Sequence, residues 1–218
     1  MTKRCDYLPE CEYKIWQDGG QFSYTTDSVL LGNFPHLVRQ TRVLDLGCGT
    51  GAVGMLCAWR GAAQVTAVDI NAGALELLRQ SVTDNGLTGK FIVLQGDIRQ
   101  YKDFLANESF DLAVANPPYR TAGARRVVGR TACHEETVTL EDFFRAAAFA
   151  VKYRGRFALV QLPERFVEAV SLAQKYGLQP KRLQWIHGGP DKPAWIFLME
   201  MQKGGSYGLE VLPPFVRQ

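Results

Sequence analysis

Four consecutive residues, Asn116-Pro117-Pro118-Tyr119, have the types and order to do chemistry. Two successive prolines cannot continue a sheet ladder, so the backbone must leave its strand in a fixed turn. The residue before a proline is held extended, which fixes Asn116 as well. Such an immobile stretch can grip an amino group. Asn116 accepts one hydrogen bond from an NH2, the Pro117 carbonyl accepts a second, and the nitrogen lone pair is left pointing outward. Tyr119 supplies a flat ring on which a planar amide or base can stack; in this reading the ring matters and the hydroxyl does not. Taken alone, the same four residues also describe an ordinary strand-ending turn with an aromatic packed behind it.

A second constellation lies upstream, in Asp45-Leu46-Gly47-Cys48-Gly49-Thr50-Gly51-Ala52. Glycines at 47, 49 and 51 let the chain turn tightly and let a ligand approach main-chain N–H groups at a helix start. Asp69 follows eighteen residues after Gly51, where an acidic side chain suits the two hydroxyls of a ribose. The loop also satisfies the dinucleotide fingerprint through Gly47, Gly49 and Ala52, so the glycines alone do not separate a nicotinamide cofactor from another adenosine-bearing one. Asp97 can accept from an adenine amino group while Ile98 covers one face of the ring, although taken alone Asp97 is better explained as a turn residue at a strand end.

The elements that must carry these residues form an alternating pattern. Arg42–Leu46, Gln64–Val68, Phe91–Leu94 and Phe110–Ala115 read as buried strands, with helices over Ala52–Trp59 and Asn71–Asn85 between them. In an open parallel sheet, ligands bind beyond the carboxyl ends of the strands. The glycine loop, Asp69, Asp97 and Asn116 each follow a strand, and so converge on that edge. Before the first strand, Thr26 or Asp27 caps a helix from Ser28, with Val29, Leu30, Leu31, Phe34, Leu37 and Val38 on its apolar side. Tyr13–Tyr24 reads as an irregular or short-stranded lead-in. Thr139 and Asp142 start a further helix, followed by a strand over Arg156–Gln161 and a helix over Pro163–Tyr176. Lys181–His187 and Ala194–Gln202 are two last strands, antiparallel because their connection is short.

Composition bounds the rest. At 218 residues and 46% hydrophobic, the chain suits one domain. Its expected parts are a lead-in and helix over 1–40, a Rossmann-like core over 41–202 and a tail over 203–218. A formal charge of +3 is too mild to argue for nucleic acid by itself. Locally, Arg120, Arg125, Arg126 and Arg130 stand without an acidic residue beside the presumed active edge, where phosphates could engage them if they are not simply a solvated loop. The five cysteines are odd in number and form no Cys-x-x-Cys pair, so neither a disulfide framework nor a metal site is expected. His36, His134 and His187 show no ligand spacing. No signal peptide or membrane-length apolar run is evident, and a cytoplasmic monomer is the expectation.

An adenosine-cofactor site beside an amino-group clamp points to methyl transfer from S-adenosyl-L-methionine, in which the protein mainly aligns a nitrogen lone pair behind the methyl carbon. Asp45 to Gly51 together with Asn116 to Tyr119 resembles the class I methyltransferases that modify amino groups of adenine or of glutamine side chains. More narrowly, the chain resembles the bacterial tRNA adenine-N6 methyltransferases that act on the adenosine 3′ of the anticodon in a valine tRNA. That likeness extends to Asp6-Tyr7-Leu8, Ile15-Trp16-Gln17, Thr26-Asp27-Ser28-Val29-Leu30-Leu31, Leu162-Pro163-Glu164-Arg165 and the tail from Lys203 to Pro214. It implies an α/β, doubly wound Rossmann-like sheet of seven strands, mostly parallel with the last antiparallel. It also implies a tRNA partner and adds Thr26, Asp27 and Ile70 to the residues that hold the cofactor. Where the family pattern runs Ala-Arg-His-Glu, this chain has Ala132-Cys133-His134-Glu135, which bears on the RNA target. Glutamine methylation, or an rRNA or DNA amino group as acceptor, is the alternative within the class. A non-catalytic RNA-binding or cofactor-sensing module is the alternative outside it, although a pure binder has no use for the clamp.

Overall fold

The computed structural model describes residues 3–19, 22–119 and 138–216. The chain enters through β1 (Lys3–Tyr7) and β2 (Lys14–Asp18), an antiparallel hairpin separate from the main sheet. β2 falls within the short-stranded lead-in expected over Tyr13–Tyr24, and its partner surface is a helix. Trp16 N–H donates to Ser81 Oγ (2.9 Å) and Lys14 N–H donates to Asn85 Oδ1 (2.8 Å). Helix α1 (Thr26–Asn33) follows, and it begins two residues before the expected start at Ser28. Thr25 is the N-cap and makes no side-chain bond, while Asp27 is buried within the first turn. Its carboxylate is engaged by another element, described below, and does not cap its own helix. The helix stops before Pro35, so Val38 is 58% exposed and is not on an apolar helix face.

The Rossmann-like body is then laid down in order. β3 (Arg42–Leu46), α2 (Ala52–Trp59), β4 (Gln64–Asp69), α3 (Ala72–Asp84) and β5 (Phe91–Gln95) build one half. β6 (Phe110–Ala115), α4 (Leu140–Ala150), β7 (Val151–Gln161), α5 (Phe166–Lys175), β8 (Leu178–His187) and β9 (Ala194–Lys203) build the other, and β10 (Glu210–Val211) and β11 (Phe215–Val216) complete it. The strand order is β10-β8-β9-β7-β6-β3-β4-β5, with β11 also on β8. β9 runs antiparallel to both neighbours, and the other pairings are parallel. Among the described residues the sheet thus has nine strands, against the expected seven. The two additions are two-residue segments of the tail with exposed side chains, too short to show a period.

Both faces of the sheet are covered, which is why its central strands read as unbroken apolar runs. Along β6, Leu112 and Val114 face the cluster built with α1, α2 and α3, including Leu31, Met55, Leu75 and Leu78. Ala113 and Ala115 face the cluster built with α4 and α5, including Phe143, Phe144, Ala169 and Ala173. The start of α4 is as expected: Thr139 and Asp142 form a reciprocal capping box. β7 begins at Val151, earlier than Arg156, because a register shift against β6 lets the strand leave α4 directly.

Candidate active site

From β3 the chain steps outward through β4 and β5, then returns to place β6 on the other side of β3. The direction reverses at the carboxyl ends of β3 and β6, the place where open α/β sheets bind their ligands. The glycine loop follows β3 and Asn116-Pro117-Pro118-Tyr119 follows β6, so the two constellations flank it. The loop is tied to the neighbouring strand by Gly47 and Cys48, whose N–H groups donate to the Val68 carbonyl (2.8 and 3.0 Å). Gly51 has φ +87°, and a Cβ there would stand 2.3 Å from Leu78 Cδ1, so only glycine lets α2 start this close to α3. At Gly49 (φ +53°) a Cβ would meet nothing within 4 Å. The loop faces open space at that point, where a ligand can approach the main chain.

The acidic residues around the loop have distinct surroundings. Asp45, 1% exposed, lies under the loop and accepts the Gly54 N–H on Oδ2 (2.9 Å). Burial pushes its carboxyl up to about 7, against the pull of the Gly54 bond and with a further push from the Asp69 charge. Asp69 accepts from Gly49 N–H on Oδ2 and from Asn71 N–H on Oδ1, both at 2.8 Å. Burial raises its pKa while these backbone bonds oppose the rise. Ile70 beside it is 37% exposed, an apolar surface at the rim. Asp97 receives the Arg99 N–H and guanidinium, and this partner holds its carboxyl below the usual range. The sequence reading did not weigh Arg99. Ile98 is buried in the core, at 6% exposure.

On the β6 side, the clamp is bracketed by the first turn of α1. Asn116 Nδ2 donates to Ser28 Oγ at 3.1 Å. The Tyr119 hydroxyl donates to the Asp27 carboxylate. Pro117 is buried and Pro118 half-buried. Asp27 is 6% exposed; burial raises its carboxyl and the Tyr119 bond opposes that rise. Burial, the bond to Asp27 and the Asp27 charge together raise the Tyr119 hydroxyl far above its usual value. Tyr119 therefore has a use for its hydroxyl that the ring-only reading missed, and Ser28 was not among the sequence candidates at all. The available signal was the polar triplet Thr26-Asp27-Ser28, which reads as helix capping. Thr26 itself is exposed.

The far end of α1 is also pinned. Arg60 donates to the carbonyls of Gly32 and Pro35, each at 2.8 Å, where a helix C-terminus favours a cation. Glu200, fully buried, accepts the His36 N–H at 2.6 Å and pairs with Arg156. Arg120, Arg125, Arg126, Arg130 and Cys133 lie outside the described residues. Among the described residues, no group of three or more His, Cys, Asp and Glu is arranged to hold a metal ion, and no helix is long and apolar enough to cross a membrane.

A doubly wound sheet with one reversed strand and a glycine loop at its switch point is the fold of the S-adenosylmethionine-dependent methyltransferases. The chain belongs to the methyltransferase small domain family, whose sequence model matches residues 12–177. It is 28% identical over 200 residues to the tRNA1(Val) (adenine(37)-N6)-methyltransferase of Parabacteroides distasonis, covering 89% of this chain and 83% of that protein. The similarly named protein of Vibrio campbellii is 26% identical over 182 residues, with 82% and 75% covered. Among solved structures, a predicted O-methyltransferase from Agrobacterium tumefaciens superposes with a TM-score of 0.72 at 24% identity, covering 88% of this chain and 87% of that one. A T. thermophilus 16S rRNA methyltransferase in complex with AdoMet and guanosine gives 0.67 at 24% identity, covering 93% of this chain and 50% of its own.

The open face at Gly49, the Asp69 carboxylate and the exposed Ile70 fit an adenosine-bearing cofactor. When bound, S-adenosylmethionine would supply an electrophilic methyl group carried on a sulfonium, with a neutral thioether as its leaving group. The residues that would hold that cofactor are the glycine loop and Asp69.

Proposed function

We propose that this enzyme methylates the exocyclic N6 of an adenine in tRNA, the adenosine at position 37 of a valine tRNA, with residues 1–218 acting as one methyltransferase domain. The observation that carries this reading is the placement of Asn116-Pro117-Pro118-Tyr119 directly across the switch point from the glycine loop. An amino group gripped there is next to the place of the methyl donor. In this reading Asn116 Oδ1 and the Pro117 carbonyl accept the two amine hydrogens, and the turn set by Pro118 carries Tyr119 against the face of the base. The nitrogen lone pair is held out of conjugation and aimed toward the glycine loop, so alignment and electrostatics replace a strong general base. The amine sheds its extra proton to water afterwards. The names of the relatives support the choice of substrate. An anticodon loop also suits a clamp that must enclose a base, since its unstacked bases are presented at low cost.

The test is to incubate the protein with methyl-labelled S-adenosylmethionine and, separately, unmodified valine tRNA, total tRNA, rRNA, DNA and protein, then digest and identify the labelled product. Label recovered as N6-methyladenosine from position 37 of valine tRNA is expected. Label confined to guanine, to DNA or to glutamine side chains overturns the substrate, and cofactor binding without transfer to any pool overturns the enzyme.

A further inference from the structure

We propose that the first turn of α1 is the positioning element of the transfer step: Ser28 aligns Asn116 and Asp27 aligns Tyr119. This rests on the clamp reading of Asn116 and Tyr119 and is independent of which amine is the acceptor.

A clamp works only if its amide oxygen and its ring sit in one geometry before the acceptor arrives. The prolines fix the backbone at 116–118, but they do not fix the side-chain torsions of Asn116 or Tyr119. An asparagine amide on a fixed backbone still rotates broadly about its terminal torsion. In this structure that freedom is removed from the side remote from the acceptor. Nδ2 is spent on Ser28 Oγ, at 3.1 Å, so Oδ1 is the end left to accept. The Tyr119 ring is likewise held at its tip, because the hydroxyl donates to the Asp27 carboxylate. Asp27 is buried and its charge is raised in cost by burial, so the tyrosine bond answers a requirement of the carboxylate itself.

The two anchors are consecutive residues in the first turn of a helix, so they move as one body. That body is itself held at its other end, by Arg60 on Gly32 and Pro35 and by Arg182 on the Phe34 carbonyl (3.0 Å). The route into the turn is fixed as well: the buried Gln17 accepts the Tyr24 N–H at 2.9 Å. A segment that reads in the sequence as a capped lead-in helix is therefore the part that sets the clamp before the substrate binds.

The competing role is direct contact with the cofactor, expected of Thr26 and Asp27 from the family resemblance. The two roles separate in the kinetics. A cofactor contact changes the affinity for S-adenosylmethionine, whereas an alignment device changes the rate at saturating cofactor. Ser28→Ala, Ser28→Thr, Asp27→Ala and Asp27→Asn are compared by calorimetry with S-adenosylhomocysteine and by single-turnover transfer to whichever acceptor the wild type labels. Using that acceptor leaves the test intact even where valine tRNA proves to be the wrong substrate. Ser28→Ala and Asp27→Ala are expected to lose roughly tenfold to hundredfold in rate, the usual cost of a small misplacement, with cofactor affinity within about twofold. Ser28→Thr and Asp27→Asn keep the acceptor atom and are expected to restore most of the rate. A second readout needs no turnover. The side-chain NH2 signals of Asn116 in an amide NMR spectrum, identified by their loss in Asn116→Ala, should shift in Ser28→Ala and return in Ser28→Thr. Wild-type rates in both alanine variants, a loss carried by cofactor affinity, or unmoved Asn116 signals in Ser28→Ala would overturn the proposal.

Discussion

Asp45→Asn should make the enzyme's stability less sensitive to alkaline pH, and the structure gives the size of the effect. Asp45 is 1% exposed, and burial lifts its carboxyl from the usual 3.8 to about 7. A carboxyl whose folded pKa lies above its unfolded value stabilises the fold when protonated. That contribution is whole below about pH 4, shrinks as pH rises, and is gone once pH has passed the folded value near 7. Each pKa unit corresponds to about 1.36 kcal/mol, so the complete effect is about 4 kcal/mol, of which about 3 kcal/mol falls between about pH 5 and pH 8. Asparagine keeps an acceptor for the Gly54 N–H and introduces a buried NH2 that costs about 1–3 kcal/mol at every pH. That constant cancels in the difference between two pH values. The assay is thermal melting of both proteins across this range without cofactor. The melting temperature of the variant minus that of the wild type should climb by about 6–12 °C from the acidic to the alkaline end, at about 2–4 °C per kcal/mol for a chain of this size. A difference that stays flat, or falls, would show that Asp45 is ionised in the folded protein at little cost, and the account of the loop would have to change.

Asp69→Ala removes the acceptor for both Gly49 and Asn71, so cofactor affinity measured by calorimetry should fall by about 1–3 kcal/mol; unchanged affinity would take Asp69 out of the cofactor site. Tyr119→Phe strands the Asp27 carboxylate, and should lower stability by about 1.5–3 kcal/mol in denaturant titration, while Tyr119→Ala should in addition lose stacking worth about 1–3 kcal/mol in substrate binding. A fully silent Tyr119→Phe would restore the ring-only reading. Neutralising Arg120, Arg125, Arg126 and Arg130 together should weaken RNA binding and flatten its salt dependence by roughly 0.7–0.9 in log–log slope for each phosphate no longer neutralised, with cofactor affinity unchanged; an unaltered slope would mark them as solvated surface.

The parts of this fold legible in the sequence are those fixed by local rules. The apolar runs 42–46 and 110–115 coincide with β3 and β6 because parallel strands covered on both faces have no polar side to blur their ends. The capping box at Thr139 and Asp142 was legible because both partners lie within one turn. β1 and the edge strands β10 and β11 were not, and β2 only as a short-stranded lead-in, since each depends on a surface supplied by a distant element. Trp16 and Lys14 gain their partners from α3, and Glu210 gains its neighbour from β8.

The site divides along the same line. The glycine loop and the Asn116 turn announce themselves because proline and glycine restrict or free their own backbone, which is a local property. What a carboxylate or a hydroxyl binds is not local, so the bonds that Asp27 and Ser28 make were not legible in the chain. Asp97 is paired with Arg99, two positions on. Asp27 and Ser28 are claimed from ninety-two and eighty-eight positions away. Those two bonds join the lead-in helix to the clamp before any substrate is present, and no spacing rule could have supplied them. They also give two members of the polar triplet at the start of α1, Asp27 and Ser28, partners in the turn after β6.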